Sequence, residues 1–95
     1  MIYAAAGSIS FKKNTTTKVT TALNNFSINL SSGSSLDLRC ATCLFKTGSN
    51  ITYTCNIHPS FYINKAFDFQ PDTYYVICVD SGVIYWSELK LYSGL

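Results

Sequence analysis

The amino-acid sequence predicts an all-β protein, an antiparallel β-sandwich or jelly roll of about eight strands. Three observations support this prediction. Apolar and polar residues alternate with a period of two in most segments, turn-forming residues recur about every ten positions, and no segment has the period of about 3.6 residues that marks an amphipathic helix. Residues 1–95 are expected to form a single domain, since a chain of this length supports one small core.

Three strands are predicted in the first third of the chain. Residues 2–13 alternate apolar and polar side chains, residues 15–23 are rich in β-branched residues, and residues 26–31 alternate again. Asparagines separate these segments, and asparagine favours turns. Each segment is therefore expected to be a strand with one buried face.

The next two strands are predicted to form a hairpin. Residues 36–40 and 51–57 both alternate, and the turn-forming residues Thr47-Gly48-Ser49-Asn50 lie between them. If the chain doubles back there, residues whose numbers sum to about 98 face each other. Proline at position 59 is expected to end the returning strand, because proline cannot donate a ladder hydrogen bond.

Three further strands complete the predicted fold, at residues 61–69, 74–80 and 83–92. Residues 74–80, YYVICVD, are apolar on both parities, which predicts a central strand covered on both faces. In the last strand, one parity is mainly aliphatic and is expected to be buried. This parity consists of Val83, Tyr85, Leu89 and Leu91.

Three of the four cysteines and the only histidine supply the strongest chemical signal, Cys40-x2-Cys43-x11-Cys55-x2-His58. The predicted hairpin places Cys43 opposite Cys55 and Cys40 opposite His58. Zinc takes about four nitrogen or sulfur ligands in a tetrahedron, so these residues are candidate ligands of a structural zinc ion. Two alternatives stay open: reduced thiols in the core, or a Cys43–Cys55 disulfide in an oxidising compartment.

The spacing of this cluster resembles a zinc ribbon over residues 40–58. The resemblance implies a small zinc-stabilised interaction module. The first pair departs from the family, because Ala41-Thr42 and Leu44 replace the usual proline and glycine around it.

Three aromatic residues are predicted to form a contact surface. Trp86 and Tyr92 lie on the parity opposite to the predicted buried side of the last strand, and Tyr62 lies opposite to its apolar neighbours. Exposed aromatic rings can stack on sugars or anchor a protein partner. The alternative is that this second parity packs inside the domain.

Charge and motif content argue against several classes of function. The net charge is +2 and the basic residues are scattered, so no nucleic-acid surface is expected. The carboxylates are dispersed and no orienting group accompanies a Cys–His pair, so the chain is not expected to be an enzyme. No apolar run approaches the roughly 20 residues of a membrane span, and signal-peptide features are missing from the start, so a cytoplasmic location is expected unless the protein is viral.

Two resemblances bear on function. The segment at residues 71–95, PDTYYVICVDSGVIYWSELKLYSGL, looks like the last two strands of jelly-roll modules in carbohydrate-binding and adhesion domains. The short, Asn/Thr/Tyr-rich chain with few charges is similar to small bacteriophage virion proteins that decorate heads, necks or tails. The second resemblance implies a structural protein that forms homo-oligomers and binds larger structural proteins in a virion. The first implies a carbohydrate-binding or adhesion module.

Overall fold

The computed structural model of the protein describes residues 2–94 and confirms the all-β class. Two short 3-10 helices, at Gly33–Asp37 and Tyr92–Gly94, accompany seven strands. The strands are β1 (Ile2–Ala6), β2 (Thr15–Val19), β3 (Leu23–Leu30), β4 (Ala41–Ile57), β5 (Tyr62–Ile63), β6 (Tyr74–Asp80) and β7 (Val83–Leu89).

The strands form one seven-stranded sheet, and a sandwich or jelly roll is not confirmed. Six strands lie in the order β1-β2-β4-β6-β7-β5, and β3 pairs with the second half of β4. Only the β4–β6 and β6–β7 pairs are antiparallel. The other four pairs (β1–β2, β2–β4, β3–β4 and β5–β7) are parallel. Alternation along a strand is the same for either direction of its neighbour, so the sequence pattern could not distinguish them.

The predicted hairpin around residues 47–50 is wrong. β4 continues through these residues as a single strand of 17 residues. Its first half pairs with β2 and β6, and its second half pairs with β3. At roughly 3.3 Å per residue a straight strand of this length would measure about 55 Å. The principal extents of the molecule are 36 × 27 × 24 Å, so β4 bends where it changes partners.

The bend of β4 is built from a bulge at the residues that resemble a turn. Leu23 pairs with Thr47 and Asn25 with Thr52, so β4 contains three more residues than β3 over this interval. A Cβ atom at Gly48 would collide with the side-chain amide of Asn24. That amide accepts a hydrogen bond from the backbone N–H of Asn50 at 3.4 Å. Glycine is needed here because the Asn24 side chain occupies the space that any larger residue would fill.

We expect Gly48→Ala to lower the free energy of unfolding by about 1 kcal/mol, because its methyl group must displace the Asn24 side chain from Asn50. In an Asn24→Ala background the same change should be close to neutral. A double-mutant cycle measured by urea unfolding should therefore give a coupling energy of about 0.5–1 kcal/mol. Strictly additive costs would show that the two side chains do not compete for this space.

The core lies on one face of the sheet, here called the inner face. Its sheet residues are Ala41, Cys43, Phe45, Tyr75, Ile77, Val79, Ile84 and Trp86, all at most 6% exposed. Leu23, Phe26, Ile28 and Leu30 of β3 complete it, which confirms the predicted buried parity of residues 26–31. Most of the predicted strand at 61–69 is irregular chain that carries Phe67 and Phe69 onto this face.

The predicted parity of the last strand is reversed. Ile77 pairs with Trp86 and Val79 with Ile84, so these residues share the inner face. Val83, Tyr85 and Leu89 consequently point to the opposite face, and Leu91, beyond the end of β7, is also exposed. β6 is apolar on both parities, so the sequence pattern does not show which of its sides is buried. The buried side of β7 follows from that of β6, and it could not be predicted either.

Candidate interaction surface

The structure does not bring the four predicted zinc ligands together. Cys43 is buried in the first half of β4 and Cys55 is exposed in its second half, on the same strand. Cys40 is exposed before β4 begins, and His58 follows its end, where Nδ1 accepts a hydrogen bond from Ser60. Residues 2–94 contain no group of three or more His, Cys, Asp or Glu side chains that could hold a metal ion. The predicted cluster depended on a hairpin that does not form.

The thiols are also poorly suited to nucleophilic chemistry. Burial raises the pKa of Cys43, and a hydrogen bond with the Ser10 backbone offsets this only in part. Partial burial likewise raises the pKa of Cys55, although its side chain is exposed overall. A raised pKa keeps both thiols protonated at neutral pH, whereas a catalytic or metal-bound cysteine acts as the thiolate.

Of the three aromatic residues predicted to form a contact surface, two are exposed. Tyr62 is 76% exposed and Tyr92 is 90% exposed. Trp86 is buried instead, so the prediction is wrong for this residue. Its Nε1 donates a hydrogen bond to the Lys65 carbonyl at 2.8 Å, and the Lys65 ammonium lies 4.6 Å from the ring centroid. Trp86 therefore contributes to the core.

The face of the sheet opposite the core, here called the outer face, carries three rows of side chains and a shorter border row that consists of Asp80, Val83 and Tyr62. Residues paired across neighbouring strands point to the same side of a sheet, so the register defines each row. The first row is Tyr3, Thr16, Thr42, Cys78 and Tyr85. The second is Ala5, Lys18, Leu44, Val76 and Ser87. The third is Lys46, Tyr74 and Leu89.

Contacts within the rows support this register. The Thr42 hydroxyl donates to the Cys78 sulfur at 3.7 Å, and the Lys46 ammonium lies 5.4 Å from the centroid of the Tyr74 ring. The pairing of strands thus brings together polar and aromatic side chains that are far apart in the sequence. The outer face is a continuous surface that spans five strands.

The outer face collects most of the exposed apolar area of the sheet. Nine large hydrophobic residues are exposed among those described, and five belong to this face or its border. These five are Tyr3, Tyr62, Tyr74, Tyr85 and Leu89. Tyr62 joins the border because it pairs with Val83 at the edge. Monomers rarely leave large contiguous apolar patches exposed, so this clustering makes the outer face the candidate interaction surface.

A shallow cavity of about 170 Å³ lies at the end of the outer face. Leu44, Tyr74 and Leu89 supply apolar walls, and Lys18 and Lys46 also line the cavity. The three rows contain these two lysines and no carboxylate, and Asp80 lies in the border row at the other end of the face. The cavity therefore suits an apolar side chain that is accompanied by a carboxylate.

The sequence contains a signal for this surface in β6. This strand is apolar on both parities, which predicts that both of its faces are covered. Val76 and Cys78 on the second parity are only half-buried, and they lie in the middle of the outer face. The apolar second parity of β6 therefore contributes to the candidate interaction surface.

No helix within residues 2–94 is long and apolar enough to cross a membrane. A scan against protein-family models found no matching family, and searches of curated proteins and of solved structures found no similar protein.

Proposed function

We propose that this protein is a non-enzymatic structural protein, a virion component that assembles with copies of itself and with larger structural proteins. The observation that carries the proposal is the outer face, a five-strand surface on which Tyr74, Tyr85 and Leu89 are exposed and Lys18 and Lys46 supply positive charge at one end. The resemblance of the whole chain to small phage decoration proteins agrees with this role. The mechanism is geometric: apolar side chains left uncovered in the free protein are buried in the assembly.

The energetic basis is the burial of tyrosine and aliphatic area. Burying apolar surface contributes about 25 cal/mol per Å², and tyrosines are enriched among the residues that dominate binding energy. Val76 and Cys78 lie in the middle of the outer face, and Tyr74 and Leu89 lie at the end that carries the cavity. Lys18 and Lys46 favour a partner that offers carboxylates beside its apolar anchor, because burying an unpaired ammonium is costly.

Substitutions on the outer face test the proposal. We expect Tyr85→Lys and Leu89→Lys to weaken association with the native particle at least tenfold, because each places a charge on the apolar surface without altering the core. Thr54→Lys on the exposed parity of β4 is the matched control and should bind as the wild type does. The measurement is co-sedimentation with particles, together with the mass of the assembly that contains the 10.5 kDa chain. Unchanged association of both outer-face variants would contradict the proposal.

A carbohydrate-binding or adhesion module is the second candidate. Tyr62 pairs with Val83, two positions before Tyr85, so two exposed rings are diagonal neighbours on the outer face. Paired aromatic rings of this kind stack on sugars. Glycan-array binding by the wild type that Tyr85→Lys abolishes, without any association with a particle, would favour this candidate over the first.

A further inference from the structure

We propose that the free edge of β1 pairs with β1 of a second copy of this chain. The two strands run antiparallel about a two-fold axis at Ala4 and join two six-stranded arrays into one sheet of twelve strands. This inference rests on the proposed function only in that the protein assembles with itself. It uses a different surface, the backbone edge of the sheet.

The chemistry of this edge follows from the hydrogen bonds of β1. The N–H of Ile2 donates to Asn14 O at 2.9 Å, and the carbonyl of Ala6 accepts from Thr20 N at 3.0 Å. Successive residues of a parallel strand direct their backbone groups to alternate sides. The even-numbered residues of β1 therefore face β2, while the N–H and C=O groups of Tyr3 and Ala5 point to the open edge.

This edge lacks the features that usually prevent strand addition. β1 reads IYAAA, with no charge and no proline, and its register with β2 is uninterrupted by a bulge. Edges of this kind are templates for another strand. Ile2 is 68% exposed and Tyr3 is 60% exposed, so pairing would also cover apolar side chains.

Two other edges, those of β3 and β5, are less suited to a new strand. β3 pairs only with β4, but its four large apolar side chains are already buried and strand addition there would cover asparagine and serine. β5 has only two residues. Among the described residues, β1 combines a free backbone edge with uncovered apolar side chains.

One register makes the β1 edge complementary to itself. When residue numbers across the pair sum to eight, Tyr3 faces Ala5 of the second copy and Ala5 faces Tyr3 of the second copy. Every outward N–H and C=O of these residues is then paired, giving four intermolecular hydrogen bonds. The large Tyr3 side chain lies beside the methyl group of Ala5 at both positions. Within residues 2–6, a register that places Tyr3 opposite Tyr3 gives only two such bonds and crowds two large rings.

The consequence for assembly is a continuous outer face. Tyr3 and Ala5 terminate two of the outer-face rows, so pairing at this edge extends each row into the second copy. A dimer would therefore present to larger partners a surface twice as wide as the surface of the monomer.

Sedimentation equilibrium of the full chain tests the pairing. We expect the wild type to dimerise and Ala5→Pro to raise the dimer dissociation constant at least tenfold. Proline at this position removes an outward N–H and no hydrogen bond within the chain, and edge strands tolerate proline there. Ala5→Ser keeps the N–H and the small side chain and should dimerise as the wild type does. A wild type that remains monomeric at millimolar concentration, or an Ala5→Pro chain that dimerises equally well, would overturn the inference.

Disulfide trapping tests the register. In a background of Cys40→Ser and Cys55→Ser, Ala4→Cys should form an intermolecular disulfide, because two-fold related residues on the axis have Cα atoms about 4.5 Å apart. Ala6→Cys should not, since its Cα atoms would be about 13 Å apart. Equal cross-linking of both variants would exclude this register.

Two variants separate the pairing at β1 from the proposed function. Ala5→Pro should lose the dimer and still bind particles, which would leave the proposed function standing. Tyr85→Lys should dimerise and fail to bind particles.

Discussion

Phe69→Ala should lower the free energy of unfolding by about 3–5 kcal/mol, the usual cost of removing a fully packed aromatic side chain. Phe69 is 4% exposed although it belongs to no strand. Its ring meets six others at centroid distances from 4.9 to 5.7 Å. These rings are Phe26, Phe45, Tyr53, Phe67, Tyr75 and Trp86. The total stability of a small domain is about 5–15 kcal/mol, so this variant should be marginal.

Urea unfolding followed by tryptophan fluorescence measures this effect, because Trp86 is one of the rings in contact with Phe69. Tyr62→Ala is the control: it truncates a ring that is 76% exposed and should change stability by no more than about 0.5 kcal/mol. A loss below about 1.5 kcal/mol in Phe69→Ala would show that the irregular segment before β6 does not close the core.

Thr47→Val should lower the free energy of unfolding by about 1–3 kcal/mol, although the two side chains have nearly the same shape. Thr47 is fully buried in β4, and its hydroxyl donates to the carbonyl of Gln70. The same hydroxyl accepts the N–H of Thr73 at 2.9 Å. Valine would remove the hydroxyl partner of both backbone groups in a partly buried region.

Thr52→Val is the matched control for this prediction, since it makes the same change at an exposed position of the same strand. Its effect should stay within about 0.5 kcal/mol. Hydrogen exchange adds a local readout: the Thr73 amide should lose protection in Thr47→Val and keep it in Thr52→Val. Equal stabilities of the two variants would mean that the Thr47 hydroxyl does not hold the segment.

Both predictions concern the irregular segment at residues 64–73, which covers the inner face. Two backbone N–H groups of this segment also donate to tyrosine hydroxyls. The Phe69 N–H donates to the Tyr53 hydroxyl at 3.3 Å, and the Gln70 N–H donates to the Tyr75 hydroxyl at 2.7 Å. Rings and hydrogen bonds thus replace the strand pairing that the segment lacks. The segment closes the inner face, which leaves the outer face as the uncovered side of the sheet.

The candidate surface was only partly predictable from the sequence. Alternation indicated that Tyr62 and Tyr92 would be exposed, and both are. The same reasoning failed for Trp86, because the register with β6 decides which parity of β7 is buried. Because both parities of β6 are apolar, its pattern does not show which parity of β7 is buried. The contacts of Trp86 with Phe67, Phe69 and Tyr75 show that its parity is the buried one.

The sequence by itself determined the secondary-structure class and the buried side of β3, because a period of two with β-branched and aromatic residues is a local property. Tertiary structure alone decided the direction of strand pairing, the buried face of β7 and the course of residues 47–50. At Gly48 the local preference for a turn is outweighed by hydrogen bonds from residues far along the chain: Thr73 O accepts from Thr47 N at 2.9 Å, and Gly48 O accepts from Asp72 N at 3.0 Å. These bonds hold β4 extended through the turn-forming residues, which separates Cys43 from Cys55.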